Sequence, residues 1–131
     1  MEFATDEDSE GIEAMMAQAK RGAKRVEIEA AELSAWLERG DSPRFVLVVG
    51  EETILRDRAL EQLLDHFVDP GLADFNLDRF SGDTIEVDRV LSSCATLPMM
   101  SDRRVVLVRS LQAAHHARRS KLLEGLADTP P

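Results

Sequence analysis

One cysteine, Cys94, is all the chain has, so an internal disulfide is excluded, as expected of a protein in a reducing compartment. No apolar run approaches the ~20 residues that a membrane-spanning helix needs. The first residues lack the basic start and apolar stretch of a signal peptide. These absences lead us to expect a soluble, cytoplasmic protein with no membrane partner. Positive charge is also scarce: 16 Lys and Arg face 25 Asp and Glu, a formal net charge of -9. Gripping a nucleic-acid backbone rests on clustered basic residues. The chain is therefore not expected to hold nucleic acid alone, although it could serve an assembly in which other parts do so. There is no internal repeat and no low-complexity block. A length of 131 residues allows one domain with one core.

Residues 1–25 read as a separate, mobile extension. Acidic Asp6, Glu7, Asp8, Glu10 and Glu13 precede basic Lys20, Arg21, Lys24 and Arg25, with Ile12, Met15, Met16 and Ala19 as a short helical stripe between them. That arrangement suits a helix near residues 10–21, although a lone helix of this length is marginal in water. Ordered structure should occupy residues 26–131. Ala30–Arg39 has helical spacing at Leu33, Trp36 and Leu37 and is closed by Gly40. The unbroken apolar run Phe45–Val49 has the pattern of a strand buried on both faces of a parallel sheet. Thr53 can cap a helix whose stripe is Ile54, Leu60, Leu63, Leu64 and Phe67. Phe75–Phe80 alternates apolar and polar like a strand nearer a sheet edge. Helical spacing returns over Ile85–Ala95, a strand over Val105–Val108, and a last helix over residues 114–127 with Leu122, Leu123 and Leu126 inside. Strands alternating with helices specify an α/β fold with a mainly parallel sheet.

The first strand ends in Gly50 and leads into a helix, which is where a phosphate-binding loop would lie. A P-loop needs a second glycine, a lysine and a hydroxyl, so that backbone amides and an ammonium surround the phosphates and the hydroxyl holds magnesium. The chain instead reads Gly50-Glu51-Glu52-Thr53, without the second glycine or the lysine and with two carboxylates beside the would-be anion. Arg56 or Arg58 could be invoked as a substitute cation, but the loop amides would still be missing. The strand Val105–Val108 is followed by Arg109-Ser110 rather than by a carboxylate that could position a metal or a water. The expectation is a degenerate nucleotide site, with no cofactor, no metal and no catalytic residue.

Other constellations are weaker. His115 and His116 are adjacent, so they point to different sides of a helix and make poor metal ligands. Arg118, Arg119 and Lys121 form a small basic patch with no aromatic platform and read as a solvated face. Cys94 lies on the apolar stripe of its helix, more a small core residue than a nucleophile.

The most informative stretch is Leu97-Pro98-Met99-Met100-Ser101-Asp102-Arg103-Arg104, just before the Val105–Val108 strand. Loops run over the surface, so a methionine pair after a proline should face water. Exposed apolar side chains flanked by polar ones fit a pocket on a partner protein, and methionine adapts well to such pockets. The alternative is that one or both methionines fold back onto the core.

Three stretches together carry a resemblance: FVLVVGEE at 45–52, GLADFNLD at 71–78 and TLPMMSDRR at 96–104. From Val26 onward the sequence resembles the N-terminal domain of the delta subunit of bacterial DNA polymerase III, a clamp-loader component. The resemblance implies a truncated AAA+/P-loop-like sheet flanked by helices that neither binds nor hydrolyses ATP. It implies an accessory, non-enzymatic subunit that binds the ring-shaped sliding clamp (the beta subunit) and helps to open it for loading onto DNA. In the family a Leu-Phe pair enters a clamp pocket. Met99 and Met100 occupy those positions here, and Leu97 matches a preceding apolar contact. The second methionine lacks the aromatic ring of that pair. Other clamp-loader subunits would be joined through a C-terminal domain absent from this sequence, and DNA would be met only through the complex.

The family also places the strand that follows the last helix between the first and third strands. That slot should here be filled by another chain or by residues 1–25, or be closed by direct pairing of its neighbours. Two rival readings remain: a divergent P-loop nucleotide hydrolase using Arg56 or a partner's residues, and an α/β interaction module whose methionine pair is core.

Overall fold

The structure, a computed structural model, describes residues 2–6, 27–40 and 43–128. Four strands, β1 (Glu2–Asp6), β2 (Phe45–Val49), β3 (Leu77–Ser81) and β4 (Val105–Arg109), form one sheet in the order β2-β1-β4-β3. Every neighbouring pair is parallel. The helices are α1 (Leu33–Glu38), α2 (Thr53–Phe67), α3 (Ala73–Asn76), α4 (Val87–Ala95) and α5 (His116–Asp128). This is the α/β class with a small parallel sheet that the alternation of patterns specifies.

Strand β4 shows why the sheet needs helices on both sides. Successive side chains of a strand point to opposite faces. Val105 and Leu107 pack with Leu33, Trp36 and Leu37 of α1 and with Ala59, Leu60, Leu63 and Phe67 of α2. Val106 and Val108 pack with Val87 and Val90 of α4, Leu122 and Leu123 of α5, and Ile85 and Leu111. All four residues of β4 from Val105 to Val108 are buried, so this strand has the double-sided burial that the sequence suggested for Phe45–Val49. β2 lies at an edge instead, half-buried along most of its length with Val49 41% exposed. An apolar run shows that a strand can be covered on two faces but says nothing about its slot in the sheet.

The slot between β2 and β4 is taken by β1, which pairs residue for residue with β2 (Glu2 opposite Phe45 through Asp6 opposite Val49) and with β4 from Glu2 to Ala4. Residues 2–6, expected within a mobile extension, are thus a strand inside the sheet, which is one of the three outcomes expected for that slot. The helix read near residues 10–21 lies outside the described residues. Had β2 and β4 been left apart, each would present a row of unpaired backbone donors and acceptors.

Several boundaries move for local reasons. Thr53 is the first residue of α2 and not its cap; Glu52 holds the cap position and makes no side-chain cap hydrogen bond. The buried stripe of α2 is Arg56, Ala59, Leu60, Leu63 and Phe67, whereas Ile54 is 67% exposed. Asp69 accepts a hydrogen bond from the Gly71 backbone and starts a turn at Pro70–Leu72 that continues into α3. Phe75 and Asn76 therefore belong to that helix, and β3 starts at Leu77. A 3-10 turn at Gly82–Thr84 delays α4 to Val87.

Because all strands run the same way, their ends define two distinct edges. Asn76 and Arg104 precede β3 and β4 at one edge; Gly50, Gly82 and Ser110 follow β2, β3 and β4 at the other. Deleting residues 1–6 should strip the ladder partners from β2 and β4. The expected result is a melting temperature lower by roughly 10 °C or more, read by circular dichroism; an unchanged transition would mean that β1 adds nothing to the sheet.

Candidate protein-binding loop

The loop from Thr96 to Arg104 joins α4 to β4. Its first residue closes α4: the Thr96 hydroxyl donates to the Ser92 carbonyl at 2.9 Å, and its backbone N–H donates to the Ser93 carbonyl at 3.2 Å. Pro98 cannot continue a helix, so the chain leaves. Leu97, Met99 and Met100 are 84%, 54% and 84% exposed, and none belongs to either core cluster. The sequence left open whether the methionines fold back onto the core; in the structure they stand outside it.

The backbone of this loop is braced. Asn76, 3% exposed, donates through Nδ2 to the Met99 carbonyl and accepts through Oδ1 from the Met99 N–H, both at 2.7 Å. The side-chain amide thus satisfies both polar groups of one loop residue, as a neighbouring strand would. Arg104, at the other end of the loop, donates through Nη1 to the Phe75 carbonyl at 2.7 Å and through Nη2 to Asp78 Oδ2, with which it forms an ion pair. The Ser93 hydroxyl donates to the same Asp78 oxygen, so α4, β3 and the loop share one carboxylate. The Arg103 guanidinium lies 4.6 Å from the centre of the Phe67 ring on α2, a cation–π contact.

Met100 has φ of 56°, a left-handed conformation that costs a side-chain-bearing residue roughly 1–2 kcal/mol. Each neutral hydrogen bond from Asn76 contributes a net ~1 kcal/mol, and a charge-assisted one more. The bonds of Asn76 and Arg104 together therefore exceed the strain. No bracing role for Asn76, Asp78 or Arg104 was legible in the sequence, although all three lie in the stretches that carry the resemblance. Asn76 read as the polar position of an alternating strand, and its partner lies 23 residues away.

The other edge, where β2 leads through Gly50 into α2, is built differently. The Thr53 hydroxyl accepts from Arg56 Nη2 at 3.1 Å, and Arg56 is only 8% exposed. Glu51 and Glu52 are exposed beside it. Arg109, at the end of β4, pairs with Asp57 at 3.2 Å. Gly82 meets the end of β4 so closely that a Cβ there would lie 2.1 Å from the Ser110 carbonyl oxygen. His115 and His116 are exposed, and His115 Nδ1 accepts from the Ala117 N–H at 3.3 Å. Arg118 and Lys121 are exposed, and Lys121 pairs with Asp88 at 3.3 Å. Cys94 packs half-buried against the α4–α5 core. Among the described residues no group of three or more His, Cys, Asp or Glu could hold a metal ion. No helix among them is long and apolar enough to cross a membrane.

Fold and loop together define a parallel α/β domain with a braced apolar loop at the edge where its strands begin. Comparison with known sequences then gives the family. The model described as "DNA polymerase III, delta subunit" matches residues 46–131, and the chain belongs to that family. The DNA polymerase III subunit delta of Bacillus subtilis is 28% identical over 74 residues, which is 56% of this chain. The matched span is 21% of that protein's length. No solved structure matches the chain.

Replacing Asn76 by Ala would leave the Met99 N–H and carbonyl without their partner. The expected cost is roughly 1–3 kcal/mol, measured by urea unfolding, together with faster proteolytic cleavage within residues 97–104. A variant of unchanged stability and unchanged cleavage would mean that Asn76 does not brace the loop.

Proposed function

We propose that this chain is the clamp-binding part of a clamp-loader delta subunit, which grips the sliding clamp and helps to hold it open for loading onto DNA. The observation that carries the reading is the exposure of Met99 and Met100 on a backbone fixed by Asn76. Loop ordering at an interface costs free energy on binding, and a loop ordered beforehand avoids much of that cost. Met99 and Met100 are the anchors that enter an apolar pocket on the clamp, and Leu97 flanks them. Thioether side chains adapt to a pocket that an aromatic ring would fill more rigidly. Opening then follows from thermodynamics: a subunit that binds the open ring better than the closed one shifts the equilibrium by that difference in affinity. No residue need perform a reaction, so the chain acts as an accessory subunit and not as an enzyme. Other loader subunits are met through parts of the protein beyond this span, and DNA through the assembly.

We read the sheet as AAA+-like with a degenerate nucleotide site. The Thr53 hydroxyl that would face magnesium accepts from Arg56, and Glu51 and Glu52 oppose an anion. ATP titrated into the chain with magnesium should give no saturable binding at micromolar concentration, which corresponds to roughly 8 kcal/mol; a micromolar isotherm would favour the hydrolase reading.

The Met99→Ala, Met100→Ala double variant should bind the organism's own sliding clamp more weakly by at least ~2 kcal/mol, by calorimetry, with its melting temperature nearly unchanged. Core methionines would instead cost roughly 2–5 kcal/mol of stability each. A lowered melting temperature with full clamp binding would defeat the proposal.

A further inference from the structure

The large exposed apolar side chains among the described residues fall into two groups. Val49, Ile54 and Leu55, 41%, 67% and 50% exposed, lie where β2 ends and α2 begins. Leu97, Met99 and Met100 lie at the opposite edge, and there they have a fourth companion. Phe75, 53% exposed, sits in α3 just before β3. Its carbonyl accepts from Arg104 of the loop, and the next residue, Asn76, holds Met99 on both sides. Phe75 and the methionine loop are therefore one braced unit, tied at Met99 and again at Arg104.

We infer that Phe75 belongs to the same docking surface as Met99 and Met100 and contacts the clamp directly. The inference rests on the clamp-docking reading. Four observations support it. Phe75 is tied to the loop through its own carbonyl, which accepts from Arg104, and its neighbour Asn76 is tied to Met99. It is the one aromatic residue among the large exposed apolar side chains of the described residues, and aromatic rings supply large contact area with little conformational freedom to lose. The surrounding Asp74 and Asp102 are exposed, which gives the apolar patch a polar rim of the kind that interfaces have. Finally, the side chain is absent from both core clusters, so the core does not account for its size.

The test is calorimetric titration of the organism's own sliding clamp with the 131-residue chain and four variants: Phe75→Ala, Phe75→Met, Ile54→Ala and the Met99→Ala, Met100→Ala pair. Phe75→Ala should weaken binding by at least about tenfold at an unchanged melting temperature. Phe75→Met, which keeps apolar area, should lie between it and the wild type, and Ile54→Ala should bind as the wild type. Wild-type affinity in Phe75→Ala, with binding lost in the methionine pair, would overturn the role of Phe75 and leave the docking loop standing. Equal weakening by Ile54→Ala would also overturn it, since the effect would then not belong to this edge. No binding by the wild type would remove the docking reading and this inference with it.

Discussion

The exposed methionine loop depends on one pair of hydrogen bonds, those between the Asn76 side chain and the Met99 backbone. A primary amide carries a donor and an acceptor side by side, so it can pair with the N–H and C=O of a single residue. Shielded from water, such bonds strengthen, and an unmatched group would be correspondingly costly. Asn76 is itself fixed, because it ends a helical turn and leads directly into β3. The position of Met99 is thereby referred to the sheet. Arg104 and the carboxylate of Asp78 fix the other end of the loop, and between these ties Met100 is held in a conformation it would not choose alone. Strain that persists at an exposed residue, in a segment tied on both sides, is the kind that accompanies a functional site.

A parallel sheet separates this edge from the one that α/β proteins ordinarily give to ligands, outside the carboxyl ends of the strands. At that second edge the polar groups are turned toward one another, Arg56 to Thr53 and Arg109 to Asp57, and Gly82 closes against Ser110. Both edges depend on the same core. β4 is buried on two faces and joins the α1–α2 layer to the α4–α5 layer. β1 spans from β4 to β2 and completes the ladder.

Much of this could be read from the residues, and what could not has physical causes. Periodicity located α2, α4, α5 and three of the strands because each buries a stripe or a face, and burial is what apolar spacing records. The methionine loop was legible because large apolar residues in a turn conflict with the ordinary chemistry of turns. Sheet order was not legible in the apolar runs, since β2 and β4 look alike; it was the family resemblance that placed a slot between them and named residues 1–25 among its three possible occupants. Residues 2–6 offered no pattern that marked them as a strand, and their place comes from the partners they meet. The phase of α2 was not legible at Ile54, because Arg56, a charged residue, takes a buried position that periodicity assigns to an apolar one. The bracing roles of Asn76 and Arg104 were invisible because they consist of contacts 23 to 29 residues apart.

The most direct test of the proposed docking edge is chemical footprinting of the methionines themselves. Peroxide converts exposed methionine to its sulfoxide, and mass spectrometry can follow Met99 and Met100 separately. Their oxidation should slow sharply when the chain is saturated with the organism's own sliding clamp. Oxidation at the same rate with and without saturating clamp would contradict the account, because side chains seated in a partner's pocket are shielded from the oxidant.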